Sequence, residues 1–224
     1  MINIVIAEAA LETVPRELVE HPAVKKTAER RGKNPEATLL DISYHYNAMK
    51  DLRDWDRRGR PDITFISLLN LLESPLNKEG RMRTYVHTIK DYIMYIDPEV
   101  NLPRNYNRFM GLMEQLFERG SVPPNGKPLI TLGRGNLQEL IAKIGPSRTY
   151  FLTEKGRKTK VGEFGLKIIK EERPVVVIGG FQRGEFKSGL EMADEKISLY
   201  GEPLDAWIIA SMVAHEAAKA LSII

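Results

Sequence analysis

The sequence contains no cysteine. That absence excludes disulfide scaffolds, cysteine-ligated zinc, iron–sulfur clusters and thiol catalysis together. Histidine is scarce. His21, His45, His87 and His215 lie far apart and never stand at HxxxH spacing, so no metal site is expected. No apolar run approaches the ~20 residues of a membrane-spanning helix, which leaves no membrane partner to expect. The opening residues, MINIVIAEAA, lack the basic start and the length of a secretory signal, so a cytoplasmic location is expected. An excess of one charge is missing too: 33 Lys and Arg face 30 Asp and Glu, a net charge of only +3. Where the charge sits therefore matters more than its sum.

The 224 residues suit one large domain or two small ones. INIVIA (2–7) is a β-branched apolar run ending at Glu8 and reads as a buried first strand. The stretch from Pro15 to Arg31 reads as helical, with Pro22 at a start or kink. RRGKNPEA (30–37) is a basic loop. MRTYVHTIKDYIMYI (82–96) divides into two strands about Lys90–Asp91. In 101–120, Phe109, Leu112, Met113, Leu116 and Phe117 recur at the spacing of a buried helical stripe, and Gly120 is its stop. At about 100° per residue, Arg108 falls on the opposite face, as does Arg104 if the helix reaches back that far. VPPNGKP (122–128) is turn-rich and separates an N-terminal part (1–121) from a C-terminal part (122–224) of one domain. Beyond it, LITL (129–132), a helix near 136–143, TYFLT (149–153), PVVVIGG (174–180), KISLYG (196–201) and a helix from about Pro203 to Leu221 alternate. That alternation predicts an α/β fold with a mainly parallel sheet covered on both faces. The last helix is apolar nearly all round, as a buried or subunit-interface helix is.

Several stretches can carry chemistry. PVVVIGGFQRGEF (174–186) runs a strand into Gly179, Gly180 and Gly184, and KISLYGEPLD (196–205) runs another into Gly201 and Pro203. Ligands of parallel sheets bind beyond the carboxyl ends of strands, where glycine admits close approach. The spacing is not GxGxxG, so a dinucleotide fold is disfavoured. Two ordinary turns would look the same. RRGRPDI (57–63) crowds Arg57, Arg58 and Arg60 about one nearby carboxylate, Asp62, which suits phosphate binding or equally a solvated loop with a salt bridge. Residues 143–173 hold nine Lys and Arg against four Glu, a net of +5, as a backbone-tracking nucleic-acid surface or a solvated face does. His87, inside YVHTI, reads as a core histidine.

Taken in order, RRGRPDI (57–63), SPLNKEGRMRTYVHTI (74–89), LPRNYNRFMGLMEQL (102–116), VVVIGGFQRGEF (175–186) and ISLYGEPLDAWIIASM (197–212) resemble one family. It is that of the ribosome-biogenesis pseudouridine-N(1) methyltransferases of small-subunit rRNA, archaeal in type, in the SPOUT superfamily of knotted methyltransferases. The resemblance implies a C-terminal trefoil knot, which connection rules alone would not suggest. It also implies S-adenosylmethionine in the knot, a homodimer, small-subunit rRNA as substrate, and ribosomal or assembly proteins as further partners. By motif, Gly179 and Gly184 match the first cofactor loop. Ile197, Ser198, Leu199, Tyr200, Gly201, Glu202, Pro203 and Leu204 match the second, and Leu152 with Thr153 stands where a third begins. Arg60 and Asp62 match an RPD element facing the RNA, with Asp62 either a base or the residue that orients an arginine; orientation is favoured, because an aspartate among arginines is strongly ionised. Arg104 and Arg108 match two arginines of an RxPRxxxR pattern that binds substrate. Asn101 replaces its first arginine, keeping hydrogen bonding and losing a charge.

The expected reaction is methylation of N1 of a pseudouridine, presented in a loop and flipped out of any stack. The competing expectations are an assembly factor whose main act is pre-rRNA binding, and a knotted methyltransferase of ribose 2′-oxygens or tRNA. Arg104→Ala with Arg108→Ala is expected to weaken RNA binding and flatten its salt dependence, each lost phosphate contact lowering the log–log slope by about 0.9. A salt titration with unchanged slope would move the RNA face elsewhere.

Overall fold

A computed structural model describes all 224 residues. In chain order the elements are β1 (Ile2–Ala9), α1 (Pro22–Arg30), α2 (Ile42–Met49), α3 (Pro61–Leu72), α4 (Pro75–Lys78), β2 (Met82–Thr88), β3 (Tyr92–Ile96) and α5 (Tyr106–Arg119). There follow β4 (Ser121–Val122), β5 (Ile130–Arg134), α6 (Leu137–Ile144), β6 (Arg148–Lys158), α7 (Val161–Ile168), β7 (Pro174–Gly179), β8 (Glu195–Ser198) and α8 (Ala206–Ala220).

All eight residues of β1 are buried, as its unbroken apolar run requires of a strand covered on both faces. It lies inside an eight-stranded sheet of order β4-β5-β3-β2-β1-β7-β6-β8. The five strands β2-β1-β7-β6-β8 are mutually parallel. β3, β5 and β4 extend one edge in antiparallel fashion. The α/β, mainly parallel sheet flanked by helices is therefore present, with a meander added. One face buries 37 apolar residues, chiefly beneath α3, α5, α7 and α8, and the other only 10, beneath α6 and the segment after β7. The thinner face thus depends on how that segment is held.

Several local readings change. Pro22 lacks an N–H and holds His21 extended, so the helix begins there, after a single 3-10 turn at Arg16–Leu18. His21 caps α1, its Nδ1 accepting from the Ala23 amide at 3.1 Å. Pro61 opens α3 in the same way, at a place read as loop. α3 escaped notice because PDITFISLLNLL is apolar all round and shows no amphipathic period. α5 begins after the Asn105 cap, so Arg104 lies outside it. Gly120 ends α5 in the left-handed conformation (φ 76°), its amide donating to Leu116 O at 2.8 Å. The 122–128 turn is a hairpin loop between β4 and β5, with Ser121 opposite Thr131. α8 buries Ala206, Ala210, Val213, Ala214, Ala217 and Ala218 while Ile208 stays exposed, so it is one-sided.

β6 pairs with β8 twice. Ile197 is the partner of both Leu152 and Arg157, so the eleven-residue strand folds around β8. A Cβ on Gly156 would lie 2.5 Å from the Ile197 backbone N and C, an approach only glycine permits.

Glu195, at the start of β8, gathers Lys167, Arg157 at 2.9 Å and Arg148 at 3.0 Å. Glu185 stands 3.7 Å from Lys155. The basic run of 143–173 is thus partly neutralised by carboxylates from beyond it. The Lys167 hydrogen bond is the leading cause that holds the Glu195 carboxyl below its ordinary value of 4.5. A depressed carboxyl stabilises the fold fully above its unfolded pKa and loses that contribution as pH falls through the folded value. Glu195→Gln is therefore expected to lower Tm at neutral pH, the gap to the parent closing as pH drops below 4.5. A gap independent of pH, in melts across the acid range, would place the acid sensitivity elsewhere.

Candidate active site

A cleft of about 320 Å³ opens beyond the carboxyl ends of β6, β7 and β8, where ligands of parallel sheets bind. It is lined by residues of all three stretches expected to form loops: Leu152 and Thr153, Gly179 and Gly184, and Ile197 through Leu204 apart from Gly201. Gly201 is exposed in the same loop, with open space about its Cα and no place on the wall.

The walls combine apolar side chains with unengaged backbone. Ile178, Leu152, Ile197 and Leu199 supply buried apolar surface. The amides of Glu202 and Leu204 donate to no acceptor in the protein. Ser198 Oγ donates to Tyr200 O at 2.7 Å and shapes the turn into this loop. Thr153 Oγ1 donates to Glu185 Oε2 at 2.8 Å, tying the end of β6 to the segment after β7. Mixed apolar surface and free peptide groups suit the flat faces and hydrogen-bonding edges of a nucleoside.

Arg60 also lines the cleft, at the N-terminus of α3. Its Nε donates to Asp62 Oδ1 at 2.8 Å and its Nη2 to Oδ2 at 2.7 Å, a bidentate pair. Asp62, followed by Asp205 and Asp41, raises the Arg60 pKa above its ordinary value, so the guanidinium stays charged. Asp41 accepts a 2.6 Å hydrogen bond from Tyr106 Oη. Burial, then Asp41, pushes the Tyr106 phenol far up, so it remains a neutral donor.

The other two arginines of RRGRPDI do something else. Arg57 and Arg58 are 5% and 6% exposed and cannot grip phosphate. Arg57 Nη2 donates to Glu8 Oε2 at 2.7 Å, and Arg58 makes a bidentate pair with Glu12 at 2.8 and 2.7 Å. The carboxylates that claim them lie 49 and 46 residues upstream, out of view of a local reading. Glu8 and Glu12 are themselves buried and require such partners.

Arg104 is 81% exposed on its side chain, with Nη2 4.0 Å from Glu73 just past the far end of α3. The twelve residues of α3 put it roughly 18 Å along the helix from Arg60. Arg108 is exposed on α5 without an ion pair, and Asn101 borders a separate polar depression beside Glu73. Arg60, with Asp62 paired to it, thus joins the three loops at the cleft, while Asn101 and Arg104 lie apart. The reading missed Phe181, Glu185, Asp205 and Trp207 on the cleft wall. Their nearness to the glycine turns was the available signal.

Fold and cleft define an α/β protein that seats a nucleoside-type ligand at the ends of parallel strands. The family model of the EMG1/NEP1 methyltransferase matches residues 4–218. The chain is 48% identical over 213 residues to the ribosomal RNA small subunit methyltransferase Nep1 of Thermococcus onnurineus, spanning 95% of this chain and 96% of that one. The same identity holds over 223 residues with the Nep1 of Thermococcus kodakarensis, spanning 99% and 100%. The crystal structure of Archaeoglobus fulgidus Nep1 bound to S-adenosylhomocysteine matches with a TM-score of 0.86 at 37% identity, covering 98% of each chain. The chain belongs to the EMG1/NEP1 methyltransferase family.

A Cβ on Gly179 would stand 2.7 Å from the Phe181 ring, which lines the cleft. Gly179→Val is expected to push that ring inward and weaken S-adenosylhomocysteine binding about tenfold in calorimetry, which is about 1.4 kcal/mol. Parental affinity would remove this loop from the site.

Proposed function

We propose that this chain transfers a methyl group from S-adenosylmethionine to N1 of a pseudouridine in small-subunit rRNA. The observation that carries the reading is Arg60, paired with Asp62, on the wall of a cleft at the ends of parallel strands. The named relatives act on small-subunit rRNA, and S-adenosylhomocysteine is the bound ligand of the solved one. The chain's own donor set fits such a ligand: free amides at 202 and 204 for the edges of adenine and ribose, and apolar walls for their faces. When bound, S-adenosylmethionine supplies a methyl group on a sulfonium. The C–S bond breaks as the N1–C bond forms, S-adenosylhomocysteine leaves, and the N1 proton passes to water.

In this reading the protein works chiefly by placement. Both oxygens of Asp62 accept from Arg60, which supports a role for Asp62 in orienting Arg60 toward the RNA rather than in accepting the proton. Asn101, Arg104 and Arg108 bind the RNA beyond the target. The twofold pairing of β6 with β8 supports a trefoil knot here. A homodimer in the cytoplasm completes the proposal, within the single domain whose parts meet in one sheet.

The test is incubation with S-adenosylmethionine and two matched hairpins, one with pseudouridine and one with uridine in the loop. Mass spectrometry of the nucleosides is expected to find methyl on the pseudouridine base alone. Methyl on a ribose, or tight binding of both hairpins without transfer, would overturn the reading.

A further inference from the structure

Arg57 lies in the sequence between two recognised features and belongs to neither. It is buried, so it cannot contact RNA, and it lines no part of the cleft. Yet its donors run directly to the segment that does. Nη1 donates to the carbonyls of Arg183 at 3.1 Å and Glu185 at 2.6 Å, while the guanidinium stacks 3.8 Å over the Phe181 ring. Phe181, Arg183 and Glu185 all line the cleft. Nη2 is held by Glu8, whose other oxygen accepts from the Lys187 and Ser188 amides, each at 2.8 Å. One arginine–glutamate pair therefore grips the cofactor segment at both ends.

The geometry is built for that grip. Gly184 adopts φ +84°, and a Cβ there would stand 3.0 Å from Arg57 Nη1. Glycine thus lets the carbonyls on either side of it converge on one nitrogen. Glu8 itself is in the left-handed region, φ 50°, unusual for its residue type and a sign of a position fixed by its surroundings.

On the other side Arg57 leads straight into the RPD element. Arg58 is locked to Glu12, the Gly59 carbonyl accepts from the Ile42 amide at 2.8 Å, and the Arg60 amide donates to Ala10 O at 2.9 Å. Each residue from 57 to 60 is thus tied to a neighbouring element. Residues 181–188 and the Arg60–Asp62 pair are therefore joined through one short, fully anchored segment.

From this juxtaposition we propose that Arg57 is a positioning residue that sets the 181–188 segment for S-adenosylmethionine and couples occupancy of the cleft to RNA binding at Arg60 and Asp62. The inference rests on the cofactor and substrate reading above. Coupling of this kind is reciprocal, so bound cofactor tightens RNA by the same factor that RNA tightens cofactor. Arg57→Lys keeps a charge opposite Glu8 and loses the fork that reaches two carbonyls and a carboxylate at once.

The experiment measures S-adenosylhomocysteine affinity by calorimetry, and the affinity of a pseudouridine hairpin with and without saturating S-adenosylhomocysteine. The parent is expected to bind the hairpin about fivefold tighter or more when S-adenosylhomocysteine is present. Arg57→Lys is expected to bind S-adenosylhomocysteine about tenfold more weakly and to lose the coupling even at saturation. Gly184→Ala, which displaces the same carbonyls without touching Glu8, is expected to lose coupling likewise, and it decides alone if Arg57→Lys does not fold. An uncoupled parent, or parental coupling in the folded variants, overturns the inference. A parent that binds no S-adenosylhomocysteine overturns the cofactor reading itself, and this inference with it.

Discussion

The buried pair of Glu8 and Arg57 is the interaction on which the arrangement of the cleft depends. Glu8 ends the central strand, where apolar neighbours leave a carboxylate no water. An isolated charge there would be very costly, so every lone pair must be engaged. Arg57, two backbone amides and the Ser188 hydroxyl, at 3.1 Å, together do this. Satisfying one acid thereby fixes three segments at once: the end of β1, the approach to α3 and the segment after β7. The thinner face of the sheet is closed by that third segment, whose Phe186 is buried against Phe151.

The same rule recurs elsewhere and explains where the basic residues went. Glu114, buried on α5, takes Arg31 at 2.5 and 2.8 Å, Lys33 at 2.5 Å and the Leu39 amide at 3.1 Å. That turns the basic loop after α1 into an internal clamp. Glu12 takes Arg58, and Glu195 takes three cations of the C-terminal half. Arg31, Lys33, Arg57, Arg58, Arg148, Arg157 and Lys167, which look free in the sequence, are thus counterions of buried or half-buried acids. Those left without such a partner, Arg108 above all, weigh more than a net charge of +3 suggests.

Strand positions were legible because their apolar runs are short, β-branched and punctuated by glycine or proline; β1, β7 and the division of β2 from β3 at Lys90–Asp91 followed from that. Helices with one polar face, such as α5 and its Gly120 stop, were equally plain. α3 was not, since burial against both the sheet and α8 erased its period. The loops after β6, β7 and β8 were legible from strand–glycine junctions and from motif resemblance, and one cleft gathers them. The roles of Arg57 and Arg58 were not, because their partners stand more than forty residues away and nothing local marks Glu8 or Glu12 as buried. Long-range charge pairing has no period and no spacing, so a linear reading assigns such arginines to the solvent.

A backbone-lined cleft also fits the electrostatics of the proposed transfer. A sulfonium loses its charge as the methyl leaves, so an uncompensated carboxylate against it would stabilise the reactant more than the transition state and slow the step. Glu185 reaches the wall, yet it accepts from Thr153 and faces Lys155, which offsets its charge. Arg60 is likewise paired, through both oxygens of Asp62. Four further charged residues of the lining, Glu154, Arg183, Glu202 and Asp205, have no ion pair, so the proposed transfer requires the sulfonium to sit away from their carboxylates. Peptide dipoles then carry most of the recognition. Because their direction is set by the backbone, the segments that bear them must be held rigidly from behind. That requirement leads back to Glu8 and Arg57, a compensated charge pair buried behind the segment after β7.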